Sequence, residues 1–454
     1  MASNSPALRV LENSRVSPPS GSVATASIPL TFFDIIWLMH YQPVERLFFY
    51  DFPHPTAHFI DSCLPNLKSS LSLTLQHFFP LAGNLRRSLG SDDRYEISYV
   101  DGDSVPFTVA EHDGDFHDLS DAHACDVSKL LQLVPQLLKS QDAQPLLALQ
   151  ATVFPNRGIV IGVSVLHIAC DGSSSMHFMK SWASACKSGG SMPVVAPPPL
   201  FDRTLIPDPR GLYSVFLDDA KGFQAPQNDT VPPPGEIPFT DMVHVTFSFK
   251  QDHIQRLKRL VLARAAERGT SFHCSTIVVV FAYVWACLVR MRDVASDRKA
   301  YLLFPVDCRG RLQPPLPAAY FGNCVGPCLV EVAVGDVIGE EGFVAAAEAI
   351  GKAIEGTKDG FLDDAERWVR RVLPLVTELP MSVAGSPKFR VYETDFGWGG
   401  PKKVLVTSIL GPGAISVAES KDEQGGIEIG MVLLKHVMDE FSARFWNGLK
   451  LLAK

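Results

Sequence analysis

No run of the sequence is apolar for long enough to cross a bilayer comfortably. The longest, Thr276–Val289, is too short and carries Tyr283 and Trp285. There is no basic excess: the net charge is −8, which argues against a nucleic-acid-binding surface as the main business. There is no CxxC pair among the nine cysteines, and an odd count excludes a complete set of intramolecular disulfides. Buried free thiols in a reducing compartment are the expected state. Cys324 and Cys328 lie four apart, but no paired Cys/His set accompanies them, so no metal is expected. The opening MASNSPALRVLENSRVSPPSGS is polar and rich in Ser and Pro, without a positive region leading into an apolar core. A secretory leader is therefore not expected, and the default location is cytoplasmic. No internal repeat is evident.

What is present is an ordinary globular composition, 46% apolar and 20% charged, in 454 residues. That length exceeds what one hydrophobic core usually supports, so two domains are expected. The best linker is the stretch 196–240, where APPPLFDRTLIPDPRG and QAPQNDTVPPPGEIP are dense in proline and lack periodicity. It separates an N-terminal domain, 1–195, from a C-terminal domain, 241–454, whose first strand is the alternating MVHVTFSF at 242–249. Strand and helix patterns are interspersed in both, giving a mixed α/β (α+β) fold.

The stretch around which the rest is organised is 158–187, GIVIGVSVLHIACDGSSSMHFMKSWASACK. Ile159 to Leu166 form a nearly continuous apolar run, as in a strand covered on both faces. It stops at His167. After Gly172 the serines 173–175 offer helix N-caps, and Met176, Met179, Ala183 and Cys186 make one helical stripe. His167 thus stands where a buried strand meets a helix N-terminus. Imidazole takes and returns a proton near neutral pH, so His167 is a candidate general base. Asp171, four residues on, has two readings: it orients the imidazole, or it is structural and paired with a cation such as Arg309. The structural reading is preferred, because four residues through a turn need not point both side chains the same way.

A second unusual stretch is Asp395-Phe396-Gly397-Trp398-Gly399-Gly400, a Gly-rich corner read as joining two strands within 387–410. Large aromatics between glycines suggest a backbone that something approaches closely, or a packed structural corner. Lys402 and Lys403 directly after it either face an anionic ligand or are solvated.

These motifs, HIACDG at 167–172 and DFGWG at 395–399 in this order, resemble the plant BAHD acyl-CoA-dependent acyltransferases. The resemblance covers essentially the whole chain: IPLTFFDIIWL near the start, FFPLAGNL at 78–85, FDRT at 201–204, CSTIVVVFAYVWACLVR at 274–290, DCRGRL at 307–312 and YFGNC at 320–324. YFGNC and the GGIEIG-KH pattern at 425–436 are similar to the subgroup that acylates flavonoid, anthocyanin and phenolic glycosides, often from malonyl-CoA. The resemblance implies a two-domain chloramphenicol-acetyltransferase-like fold with a channel between the domains. The N-terminal domain would carry the HxxxD motif, and the C-terminal domain the YFGNC and DFGWG motifs.

The same resemblance implies a role for each site residue. His167 would be the base that deprotonates a sugar hydroxyl in a direct, ternary-complex transfer, with Asp395 given an active role in some members. Asp171, Gly172, Arg309, Phe396, Gly397, Trp398 and Gly399 would be structural. Ser275 and Thr276 would contact the CoA part, with Lys250 and His273 as further acyl-CoA-binding candidates. No cofactor is implied beyond the acyl-CoA co-substrate. The expected partners are small molecules, without nucleic acid or membrane, and the expected state is a monomer. A malonyl donor calls for a cation, which some malonyl-using relatives place shortly after the Asp-Gly pair; here Ser173, Ser174 and Ser175 stand there. An aromatic, hydroxycinnamoyl donor therefore stays open beside malonyl, as does a non-catalytic binding protein on the same fold.

Overall fold

The computed structural model describes residues 8–39, 43–88, 90–91, 93–121, 123–138, 144–189, 197–222, 241–339, 341–358, 360–409 and 413–451. The apolar run before His167 is a strand with every residue buried, as its unbroken hydrophobicity requires. Labelled in chain order, the strands of its sheet are β1 (Leu8–Val16), β2 (Val44–Asp51), β3 (Val105–His112), β4 (Leu147–Phe154), β5 (Gly158–Val165) and β6 (Lys403–Val406), laid out as β1-β3-β4-β5-β2-β6. β5 pairs antiparallel with both neighbours, Val160 facing Thr152 of β4 and Phe49 of β2. Only β3 and β4 run parallel. A second small sheet is built from Ala26–Pro29, Asn84–Arg87, Tyr95–Tyr99 and Gln144–Pro145.

Helices α1 (Leu64–His77) and α2 (Gly172–Lys187) pack together: Trp182 Nε1 donates to the Leu67 carbonyl at 3.0 Å and Asn66 Nδ2 to the Cys186 carbonyl at 2.8 Å. The stripe Met176, Met179, Ala183 and Cys186 is buried, as its spacing predicts, and each such side chain contributes about 1.5–3 kcal/mol when large and aliphatic. Leu47, Phe49, Val160 and Leu405 share a core with Phe116 and Phe154.

Two compact units result, and their bounds differ from those expected. The first comprises Met1–Gly222, Pro314–Cys324 and Phe389–Ser408; the second Phe223–Gln313, Val325–Lys388 and Ile409–Lys454. The YFGNC and DFGWG motifs therefore belong to the first unit, together with the histidine motif. The reason is pairing: β6, which follows the glycine corner, adds to the edge of β2 with Lys403 opposite Phe49. Nor is 196–240 a linker throughout. Residues 212–222 form a helix that buries Leu212, Tyr213, Phe216 and Leu217; 223–240 lie outside the described residues. The corner also lacks its expected first strand. Arg390 has φ +49, a left-handed conformation that interrupts extended chain, and Val391–Glu393 is a 3-10 turn.

In the second unit, Val325–Ala333, Lys299–Asp307, Met381–Gly385, Ala414–Glu419, Ile427–Leu434 and Met242–Phe249 are neighbours in that order in a mixed sheet. Helix α3 (Gln251–Glu267) buries Ile254, Leu257, Val261 and Ala265. Helix α4 (Thr276–Val289) is buried from Val278 onward, as expected of a helix apolar nearly all round. No helix among the described residues is long and apolar enough to cross a membrane.

Candidate active site

The turn between β5 and α2 sets the half-buried imidazole of His167 between two side chains. On one face the indole of Trp37 is stacked, with ring centroids 3.5 Å apart and planes 11° from parallel. At the edge, Nδ1 lies 3.2 Å from Asn323 Oδ1. The other end of that amide fixes its orientation: Nδ2 donates to Asp34 Oδ1 at 3.0 Å and to the His167 carbonyl at 2.9 Å. The His167 carbonyl can only accept, so the amide nitrogen points there and its oxygen faces the imidazole. Nδ1 then carries the ring proton, and the basic lone pair belongs to Nε2.

Asp171 braces the turn itself. Its Oδ1 accepts from the Ser174 amide at 3.0 Å, capping α2, and its Oδ2 accepts from the Cys324 amide at 3.1 Å. The cap expected of the serines is thus supplied by Asp171. Ser174 instead turns its hydroxyl to Gly322, bonding that residue's carbonyl at 3.1 Å and amide at 3.2 Å. Asp171 and Ser174 together stitch the histidine turn to the segment that carries Asn323. Gly172 is tightly held, since a Cβ there would lie 2.6 Å from the Phe389 ring.

Asp395 is braced within its own corner. Oδ1 accepts from the amides of Gly397 and Gly399 at 2.8 and 2.9 Å, and Oδ2 accepts from Lys187 at 2.7 Å. Partial burial opposes its charge, but Lys187 and the glycine amides outweigh that, and the carboxyl is held below its usual range. None of these hydrogen-bond partners is His167. Gly397 and Gly399 adopt φ +101 and +89, which explains glycine at both. Phe396 is buried edge-on to Trp182, and Trp398 lies against Tyr50 and Phe52. The two lysines that follow are paired within the first unit: Lys402 bonds Asp121 at 2.6 Å, and buried Lys403 donates to the carbonyls of Leu119 and Asp121.

In the second unit, Ser275 caps α4, its hydroxyl accepting from Val278 N at 3.3 Å, and Thr276 Oγ1 accepts from Lys258 at 3.0 Å. His273 is tied by its amide to Glu355, and Lys250 precedes α3 with its amide on His253 Nδ1. Ser275, Thr276 and Lys258 thus gather a helix N-terminus and a cation, a setting suited to an anionic group. Buried Arg309 lies on the loop after Lys299–Asp307 and contacts Asp307 Oδ1 at 3.3 Å.

Sequence reasoning missed Asn323, Lys258, Trp37 and Asp34 as site residues. The signal available for Asn323 was the tightness of YFGNC; for Lys258 it was a lysine on the basic helix before Ser275.

Comparison with known proteins agrees with this architecture. The Transferase family model matches residues 8–447. The chain is 37% identical to the malonyl-coenzyme A:anthocyanin 3-O-glucoside-6''-O-malonyltransferase of Dahlia pinnata, with 98% of each chain covered. It is 36% identical to phenolic glucoside malonyltransferase 1 of Arabidopsis thaliana, again over 98% of each. To the coumaroyl-CoA:anthocyanidin 3-O-glucoside-6''-O-coumaroyltransferase 2 of Arabidopsis thaliana it is 35% identical over the full length of both. Among solved structures, vinorine synthase superposes with a TM-score of 0.67 at 22% identity, covering 96% of each chain. With full-length matches of this kind beside the chloramphenicol-acetyltransferase-like fold, the chain belongs to the BAHD acyl-CoA-dependent acyltransferases.

Proposed function

We propose that the protein transfers a malonyl group from malonyl-CoA to a sugar hydroxyl of a phenolic or flavonoid glucoside. The observation that carries the chemistry is the Asn323 contact, which leaves His167 Nε2 as the proton acceptor. Nε2 takes the hydroxyl proton as the oxygen attacks the thioester carbonyl. The tetrahedral oxyanion collapses with cleavage of the carbon–sulfur bond, and the CoA thiolate takes the proton back from the imidazolium. No acyl-enzyme is required. Ser275, Thr276 and Lys258, with Lys250 and His273 as further candidates, are assigned to the acyl-CoA, while Asp171 and the 395–399 corner are assigned to support. Malonyl is favoured as donor by the Dahlia and Arabidopsis malonyltransferases among the full-length relatives. A monomer in the cytosol completes the reading, consistent with nine cysteines that are all free thiols.

A second donor reading, hydroxycinnamoyl, is favoured by one observation. Residues 173–175, in the first turn of α2, are serines without a charge for a malonyl carboxylate. The test offers the purified protein malonyl-CoA and coumaroyl-CoA in turn with a panel of glucosides and reads the products by mass. Malonyl esters are expected; coumaroyl esters alone would replace the donor. His167→Ala is expected to abolish transfer while acyl-CoA binding persists, and undiminished turnover in that variant would remove His167 from the mechanism.

A further inference from the structure

Asp34 lies at the third position of the short helix Phe32–Ile35 and is fully buried, as is Asn323. A buried carboxylate is costly unless every lone pair meets a donor. Here four donors converge on it: Thr31 N and Thr31 Oγ1 reach Oδ2, both at 2.8 Å, while Asn323 N and Asn323 Nδ2 reach Oδ1 at 3.1 and 3.0 Å. A helix cap needs only the first pair. The second pair grips the residue whose amide oxygen meets His167 Nδ1.

We propose that Asp34 is a positioning residue for the transfer reaction, acting through the Asn323 amide to hold His167 with its proton on Nδ1. The inference rests on the reading of His167 as the base. The carboxylate accepts from both the backbone and the side chain of Asn323, so the amide cannot turn its nitrogen toward the imidazole without placing its oxygen against a carboxylate. Were the amide to turn, Nδ2 would donate to Nδ1, the ring proton would move to Nε2, and the atom that must accept the hydroxyl proton would already be occupied.

Asp34→Asn tests this, because an amide at 34 keeps the shape yet offers a donor where only an acceptor stood. Where the nitrogen of the new amide faces the Asn323 side chain, that side chain satisfies it by turning round, which gives the mixture of ring states read below. In histidine-labelled protein, nitrogen-15 spectra compared with those of a His167→Gln variant isolate the His167 ring. The wild-type ring is expected to show a protonated Nδ1 and an unprotonated Nε2, and the Asp34→Asn ring the reverse or a mixture. Turnover should fall by on the order of 10²–10⁴-fold with KM for both substrates within about threefold, the scale seen when a base is held in the wrong tautomer.

The exchange Asp34→Asn with Asn323→Asp returns an acceptor to Nδ1 and a partner to the new amide, so kcat should recover by about tenfold or more over Asp34→Asn. A purely structural Asp34 would make the double variant worse than either single one. If Asp34→Asn does not fold, the exchanged pair is read in its place, with the same Nδ1-protonated ring expected. Wild-type turnover with a wild-type ring in Asp34→Asn overturns the proposal and leaves the base intact. Full activity in His167→Ala instead removes the base itself, so the two failures are distinguishable.

Discussion

The indole of Trp37 lies flat on the imidazole of His167, 3.5 Å between centroids and 11° between planes. Stacking at this distance denies the ring rotation about its terminal torsion, which is otherwise broad for histidine. With Asn323 at one edge, the imidazole has one plane and one in-plane orientation available. Trp37→Leu is expected to lower kcat by about tenfold through loss of this alignment, and Trp37→Phe by less, with the fold unchanged. Steady-state kinetics beside a thermal melt check it. A change confined to KM would instead make Trp37 a substrate contact.

The corner at 395–399 separates support from chemistry. Asp395 holds two glycine amides and Lys187, whose side chain is 59% exposed. An exposed ion pair contributes about 0–1 kcal/mol, so Lys187→Ala is expected to be nearly neutral. Asp395→Ala leaves two amides without an acceptor and is expected to cost about 1–3 kcal/mol. Denaturant unfolding reads both. Turnover per folded molecule should stay within about threefold of wild type, because lost amide partners act on stability and not on proton transfer. Abolished turnover at unchanged stability would restore Asp395 to the chemistry.

His112 is buried at the end of β3, stacked on Phe154, with Nδ1 accepting from Gly114 N at 2.9 Å. Burial pushes its pKa below that of a free histidine. The unfolded chain therefore binds the proton at a higher pH than the folded one. The resulting stability is fully present above the unfolded pKa of about 6.5 and is lost as the pH falls below it. Melting curves between pH 8 and 5 should show this decline, and His112→Asn, which keeps an acceptor for Gly114, should flatten it. An unchanged slope in that variant would assign the decline to other groups.

Thiol chemistry gives an independent reading of the packing. Burial pushes Cys125 and Cys186 up to about 11 and Cys287 and Cys328 up to about 12. Only Cys63 and Cys274 are partly exposed. Iodoacetamide at pH 8 is expected to add at most two labels to the native protein and nine after denaturation, counted by intact mass. More than two native labels would show that the buried thiols open readily.

How much of this could be seen in the sequence follows from distance along the chain. The β5–His167–α2 unit was legible because strand, turn and helix are contiguous and their apolar periods differ. The ring's partners were not, since Asn323 lies 156 residues from His167 and 289 from Asp34. No local pattern brings such residues to one point. Asp171 was read as structural, but serine propensity hid that it is the cap of α2. The corner read as strand-turn-strand because FRVYE alternates in polarity, whereas the left-handed Arg390 breaks extension there.

The return of two late segments to the first unit has a consequence for synthesis. At about 5–20 residues per second, β6 follows His167 out of the ribosome by roughly 10–50 s. Until then β2 has an open edge, and until residue 323 emerges the imidazole lacks the Asn323 amide. A nascent chain passes through an interval in which the His167 turn is made without Asn323 and a buried-type strand edge is bare. Proteins in that position depend on shielding of the edge against pairing with other chains. A chain stopped before residue 389 would emerge without β6 to cover β2, so the tolerance of this enzyme to truncation is set by its sheet as much as by its active site.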